Sequence, residues 1–333
     1  MHFPVMAEEC LSLLAIRPEG VYVDATAGMG GHTGLIAQRL TTGLVIANDR
    51  DRESLELARA NTAPWAERIR YRQGTFSELR ATVESEGFQK VDGLLVDQGV
   101  SRYQLAESPH RGFSFLTDGP LDMRMSQDTG MTAAELVNFT AEKAIADLIY
   151  QLGEERGARK IARAIVRARP IRSTLHLADV VSRAVHRTGR LHPATKTFMA
   201  LRRAVNDEPG ELDRLLEIGP DLLRDGGRMV VVSFMSSEDR MVKERFKALG
   251  REGRAEILTK HPLQPSEEET SHNPPSRSAK LRAVTMTERV KNHGDTTTIS
   301  HKERSAGGRG GARHTAGNSA GRTGPLPDAT PAV

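Results

Sequence analysis

The stretch VYVDATAGMGGHT, from Val21 to Thr33, is a β-branched run that breaks on glycines and then starts a helix. A second apolar run, Leu44 to Asn48, gives way to the acidic cluster Asp49-Arg50-Asp51. A strand, a glycine turn, a helix start and an acid about twenty residues on describe a site for a nucleoside cofactor at the carboxyl edge of a parallel sheet.

Working outward, further strands are expected at Ile69 to Arg72, Val91 to Val96 and Met229 to Phe234, with helices at His32 to Leu40, Arg52 to Asn61 and Phe76 to Glu86. Strands alternating with helices give an α/β, doubly wound sheet of the Rossmann-like kind. From Leu105 to Gly219 the alternation stops, and the pattern is helices and polar loops. It resumes at LLRDGGRMVVVSF, where Gly226-Gly227 is expected to end a helix before a strand. Residues 1–104 and 215–290 are therefore expected to form one sheet domain, interrupted by a helical insertion over 105–214. Ser236 to Leu249 is expected to be helical, and Ala255 to Lys260 and Ala279 to Arg289 could supply closing strands. Residues 291–333 have almost no large apolar side chains and are expected to be a disordered, basic, glycine-rich tail.

The chain has 333 residues, 38% hydrophobic and 27% charged, enough for a substantial core. Its one cysteine, Cys10, rules out an internal disulfide framework and a thiolate-rich zinc site, and no metal is expected. The start, MHFPVMAEECLSLL, has no cationic lead and carries acids inside its apolar run, so neither a signal peptide nor a membrane span is expected there, and a cytoplasmic home is. The net charge is +4, but residues 291–333 hold six Lys or Arg against three Asp or Glu, leaving 41 against 40 elsewhere. A nucleic-acid footprint must then come from local clustering.

The glycine turn departs from the dinucleotide pattern G-x-G-x-x-G: Gly28, Gly30 and Gly31 are followed by Thr33 where the third glycine should stand, and Gly34 comes one place late. That glycine lets a pyrophosphate reach the helix, so a cofactor without one does not need it. S-adenosylmethionine fits. Its carboxylate would face the backbone N–H groups of Gly30, Gly31 and His32, Asp49 would accept from the ribose hydroxyls, and Phe76 would stack on adenine. The glycines could also serve the turn alone, His32 could simply pack at the helix start, and Asp51 is expected to be solvated.

The fourth strand runs into VDQGVSRYQL, placing Asp97 at the reacting edge ahead of Gly99, Ser101 and Gln104. An exocyclic amine is a poor nucleophile because its lone pair is delocalised into the ring. Asp97 or a neighbouring carbonyl could hold the amino hydrogens and free the lone pair, the remaining contribution being in-line placement. The bland alternative is that Asp97 caps the following turn.

Along nearly all of residues 1–290 the sequence resembles the bacterial 16S rRNA cytosine-N4 methyltransferases, the ribosomal RNA small subunit methyltransferase H family. The matching segments are HFPVMAEE, VDATAGMGGHT, NDRD, DQGVS, RGFSF, LDMRM, GEERGARKIARAIV, HPATKTFMALRRAVN, SFMSSEDRMVK and NPPSRSAKLR. The resemblance implies a class I S-adenosylmethionine-dependent methyltransferase sheet and methyl transfer to N4 of a cytidine in the decoding region. Its partner would be 16S rRNA in the small ribosomal subunit, with no DNA and no membrane. It also implies that Gly30, Gly31, His32, Asp49, Phe76, Asp97 and Gln104 carry the cofactor, leaving Asp97 as the tentative catalytic group. This chain differs from the family pattern at Met235 (usually His), Ser237 (Leu), Met199 (Gln), Gln98 (Leu), Arg102 (Ser) and Pro275 (Arg). The cofactor positions are intact, and the two methionines remove polar groups from motifs expected to face the target.

Within the insertion, GEERGARKIARAIVRAR sets Arg156, Lys160, Arg163 and Arg167 three and four apart, a basic ridge on one helical face that could follow a phosphate backbone or merely be solvated. Phe113 and Phe115 could stack on an extruded base or pack in the core. Asp122 and Arg124 could form an ion pair shaping a target pocket. Three rival readings stay open: a DNA amino-methyltransferase, though Asp97-Gln98-Gly99-Val100 lacks the prolines usual there; a nucleotide-dependent oxidoreductase, disfavoured by the absent third glycine; and a catalytically weakened RNA-binding or assembly protein that keeps its cofactor.

Overall fold

Apolar runs bounded by turn residues become the strands β1 (Val21–Asp24), β2 (Leu44–Asp49), β3 (Ile69–Gln73), β4 (Val91–Asp97), β5 (Leu223–Ser233), β6 (Ala255–Ile257) and β7 (Lys280–Met286). The computed structural model describes residues 4–101, 103–128, 130–185 and 191–287; the expected tail 291–333 and Arg102 lie outside them. The seven strands make one sheet in the order β3-β2-β1-β4-β5-β7-β6, parallel except for β7, which runs antiparallel to both neighbours. From β1 the chain passes to β2 on one side and later to β4 on the other. Their carboxyl ends therefore open a crevice where the strand order reverses, the usual ligand position in such sheets.

Helices α1 (Ala7–Leu14), α2 (Gly31–Arg39), α3 (Arg52–Asn61) and α4 (Leu79–Ser85) interleave with the first strands. Side-chain alternation sends each strand's residues to two faces. Leu95, Val230 and Val232 pack with Leu11, Leu14, Ile36 and Leu55 on one face, while Leu94, Val96, Met229 and Val231 pack on the other with Leu79 and Val83.

Between β4 and β5 come α5 (Ala133–Phe139), α6 (Glu142–Gly153), α7 (Ala158–Arg167), α8 (Thr174–Ala184), α9 (Thr195–Val205) and α10 (Glu208–Leu222). A third apolar core, from Phe113 to Leu201, belongs to this insertion alone. Helix α10 instead sends Leu212, Leu215 and Leu216 into the core of the sheet, so the expected boundary at residue 214 falls inside it. After β5, α11 (Ser236–Arg251) returns to the sheet and α12 (Glu267–His272) precedes β7.

Three expected boundaries move for local reasons. β5 begins six residues early, because Leu223 pairs with Val91 before a register shift restores pairing at Gly93 and Arg228. The glycines Gly226-Gly227 thus lie within the strand, with Gly226 at φ +75, and do not end a helix. Phe76 precedes α4 because Glu78 closes a turn, accepting from the N–H and hydroxyl of Thr75 at 2.8 and 2.9 Å. Glu154 takes φ +50 at the end of α6, so α7 starts only at Ala158 and Arg156 sits in the turn ahead of it.

Candidate cofactor and target site

At the carboxyl ends of β1, β2 and β4 lies a cavity of about 610 Å³, closed from above by residues of the insertion and by His272 to Pro275. One wall is the sheet edge. Asp24, Asp49 and Asp97 end three adjacent strands.

Asp24 is fully buried, accepting from the Thr33 hydroxyl at 2.6 Å and from Thr26 N–H at 3.2 Å. Loss of water pushes its pKa up to about 6 against those hydrogen bonds. Asp49 accepts from the N–H groups of Gly28 (2.7 Å) and Asp51 (2.8 Å), and desolvation, with the charges of Asp51 and Asp24 adding, raises it to about 7. Asp97 is raised to about 8 by desolvation, then by the charges of Asp24 and Glu269. Its backbone N–H is anchored on the Thr26 hydroxyl at 2.7 Å. Its Oδ2 lies 3.7 Å from Nδ1 of His32, while its Oδ1 is buried with no hydrogen-bond partner among the described residues.

The glycine turn supplies the floor. Gly28, Gly31 and His32 line the cavity, the last two in the first turn of α2, where backbone N–H groups point outward. Gly30 does not line it. Its φ is +89, and a Cβ there would meet Thr62 Cγ2 at 2.8 Å, so its glycine serves the close approach of α2 to α3. His32 packs as well as lines: its Nε2 sits 3.1 Å from the Val5 carbonyl and the ring is 4% exposed. Phe76 lines the cavity with its ring half-buried. Gln104 lines it too, but its amide is engaged, donating to Asp51 at 2.6 Å and accepting from Ser101 N–H at 3.0 Å.

Asp51, expected to be solvated, is 1% exposed: it caps α3 through the Glu53 N–H at 3.0 Å and receives Gln104 and Arg111. Burial of those two partners across the insertion leaves it no water, which no local pattern announces. Gln98, marked in the sequence only as a departure from the family pattern, lines the cavity, and Asp24 is buried behind that wall. Asp24 at least carried a signal, being an acid that ends a β-branched strand as Asp49 and Asp97 do.

The facing wall sets the apolar side chains of Met125, Met199 of α9, Phe234 and Met235 at the start of α11 among polar ones, Arg202, Asn206, Glu208, Glu211 and Glu238. On this wall Arg202 grips Glu208 with two hydrogen bonds of 2.7 and 2.9 Å. Three polar joints hold this wall to the sheet. Arg111, 1% exposed, donates to Glu53 and to the carbonyls of Arg124 and Met125 at 2.8 to 2.9 Å, and reaches Asp51 at 3.3 Å. Arg203 pairs with Glu238 at 3.3 Å, both buried. Asn206 bonds the Met123 carbonyl and Met125 N–H at 2.7 Å while its own carbonyl accepts from Arg50.

The expected target contacts are spread more widely. Phe113 is 6% exposed, packed in the insertion's core beneath the Arg111 guanidinium 5.6 Å away, and does not line the cavity. Phe115 packs against His192 and Phe198 at ring distances of 4.7 and 4.8 Å. Arg124 pairs with Asp122 through two bonds of 2.8 Å, outside the cavity lining. Lys160, Arg163 and Arg167 are exposed along α7 with Arg156 just before it; Ile161 and Ile165 face inward, and Arg163 lies 3.7 Å from Glu142. None of these four cations lines the cavity.

Two desolvated carboxyls that line the cavity, Asp49 and Asp97, with Asp24 buried behind them, favour a ligand that carries positive charge and hydroxyl donors. S-adenosylmethionine offers a sulfonium, an ammonium and two ribose hydroxyls, and the residues present fit it. Among the described residues no cluster of potential metal ligands occurs, and no helix is long and apolar enough to cross a membrane.

The MraW methylase family matches residues 1–287. Ribosomal RNA small subunit methyltransferase H of Solibacter usitatus is 72% identical over 286 residues, which is 86% of this chain and the whole of that protein. The proteins of the same name from Acidobacterium capsulatum and Cyanothece are 49% and 47% identical, over 85% of this chain and 97% and 93% of theirs. With a doubly wound sheet, an acidic crevice at its switch point and this extent of likeness, the chain belongs to the MraW methylase family and is an S-adenosylmethionine-dependent methyltransferase.

Proposed function

We propose that the chain methylates N4 of a cytidine in the decoding region of 16S rRNA, acting in the cytoplasm on the small ribosomal subunit. The observation that carries this reading is the partly exposed carboxyl of Asp97, at the end of β4 and lining the cavity that also holds the glycine turn. Relatives named for an rRNA methyltransferase of the small subunit support the substrate class.

In this reading the bound cofactor supplies an electrophilic methyl group. Gly31 and His32 hold its carboxylate, Asp49 its ribose hydroxyls and Phe76 its adenine, with Gly30 and Gln104 acting behind them by fixing the turn and Asp51. Asp97 accepts one amino hydrogen of the cytosine and so turns the nitrogen lone pair toward the methyl. Nitrogen gains the methyl and loses one proton, which the Asp97 carboxylate takes up. Phe113 and Arg124 shape the target wall from the insertion side. Arg156, Lys160, Arg163 and Arg167 follow the RNA backbone away from the chemistry.

The test is to incubate the purified chain with labelled S-adenosylmethionine and undermethylated small subunits, then digest the RNA and identify the labelled nucleoside. N4-methylcytidine from a single 16S rRNA fragment is expected. Label on DNA, on another base, or absent from rRNA while the cofactor binds, would overturn the reading.

A further inference from the structure

Phe76 lines the cavity from a short loop between β3 and α4, and β3 is the outermost strand, so no neighbouring strand steadies that loop on its outer side. Two carboxylates bracket it instead. Glu78 closes the near side within the loop's own turn, through Thr75. The far side is held from across the chain: Glu211 of α10 accepts from the Ser77 N–H at 3.0 Å with one oxygen and from the Ser77 hydroxyl at 3.2 Å with the other. Arg214, one turn on, donates to Glu211 at 2.8 Å and to Asp207 at 2.9 Å and so steadies the carboxylate. Glu211 lines the same cavity as Phe76.

The two brackets differ in what they refer the loop to. Glu78 ties it only to itself. Glu211 ties it to a helix whose next residues, Leu212, Leu215 and Leu216, are buried in the core of the sheet, the core against which Phe76 also packs. A ring held in its stacking orientation loses less freedom when a base arrives than one on a swinging loop, and binds more tightly for that reason. We infer that Glu211 is a positioning residue for the cofactor: by holding Ser77 it keeps the Phe76 ring set for adenine before the cofactor binds. It touches Ser77 and acts on the cofactor through Phe76. This inference rests on the reading of Phe76 as the adenine-stacking residue and extends it to the group behind the ring.

A double-variant cycle tests it, with the affinity of the full chain for S-adenosylhomocysteine read by calorimetry. Phe76→Ala should weaken binding by about thirtyfold, the scale of one base stacked on an aromatic ring. Glu211→Ala leaves the ring in place but loose and should weaken binding by about tenfold. The double variant should lose about thirtyfold, no more than Phe76→Ala alone, because Glu211 has nothing to position once the ring is gone. Glu211→Gln keeps an oxygen for the Ser77 N–H and should return affinity to within about threefold of wild type. Should Glu211→Ala fail to fold, Ser77→Ala carries the same cycle, with a loss of about threefold alone and none beyond that of Phe76→Ala in combination. Glu211→Ala binding as tightly as wild type, or losses that multiply in the double variant, would overturn the inference while the role of Phe76 stands. If Phe76→Ala itself binds as tightly as wild type, the adenine assignment fails and the inference goes with it.

Discussion

The two walls of the cavity are built from different chemistry. The sheet wall ends three neighbouring strands in carboxyl groups that burial pushes up to about 6, 7 and 8, fixed by backbone N–H groups and threonine hydroxyls. The insertion wall offers methionine thioethers among polar side chains engaged with one another or with the backbone, Arg202 gripped by Glu208 and Asn206 bonded to Met123 and Met125. A rigid acceptor wall suits a ligand that is always the same; a wall with unbranched, adaptable methionines suits one that must arrive as part of a large polymer and be seated. The division of labour between constant cofactor and variable approach of substrate is thus written in side-chain type, and the joints between the walls decide whether they act as one site.

Breaking a joint should have the largest effect. Arg203→Met removes the partner of buried Glu238 and leaves a carboxylate without compensation, so stability should fall by about 3 to 5 kcal/mol, measured by chemical denaturation; a loss below about 1 kcal/mol would show that the walls do not depend on this pair. On the sheet wall, Asp97→Asn keeps shape but weakens the acceptor, and single-turnover rates should drop by about a hundredfold or more. An unchanged rate would move the chemistry elsewhere.

Asp49→Ala should weaken cofactor binding by roughly ten- to a hundredfold, the scale of hydrogen bonds to a charged group, as read by calorimetry. The same carboxyls make the wall sensitive to pH. Their folded values lie above the ordinary 3.8, so the folded chain binds more protons than the unfolded chain between about 4 and 8, and raising the pH through that window removes stability. A cationic cofactor favours the ionised forms, so its affinity should instead climb from pH 6 to pH 8, with proton release on binding; Asp97→Asn should flatten both trends. The smallest effect belongs to the outer surface. Neutralising Arg156, Lys160, Arg163 and Arg167 together should weaken subunit binding by about tenfold at moderate salt and reduce the salt slope by about 3, with cofactor affinity untouched.

Much of the sheet wall was legible in the sequence because it depends on local order: an apolar run, a turn, an acid at the strand end. Val21 to Asp24, Asp49 and Asp97 sit where that pattern puts them, and the interrupted glycine spacing pointed to a cofactor without a pyrophosphate. The insertion wall was not legible in the same way. Arg111 meets Asp51 across 60 residues, and Asn206 meets Arg50 across 156. No periodicity registers such pairs, which is why Asp51 looked solvated and Phe113 looked available. Gly30 shows the converse: a glycine inside a binding motif can be required by a neighbouring helix and not by the ligand.

The placement of the insertion between two hydrogen-bonded strands also sets the order in which the protein can assemble. β4 is complete once residue 97 has been made, but its neighbour β5 begins at residue 223, and β7, which covers the far side of β5, starts only at residue 280. Through the synthesis of everything between, β4 stands as an open edge, the kind of surface that invites pairing with the wrong chain. An insertion with its own core and mostly helix-to-helix contacts can fold during that interval and bring its two ends together, so that closing the sheet no longer requires a long flexible loop. The segment that seats the substrate in the finished protein thereby serves, earlier, as the device that shortens the wait of an unpaired strand.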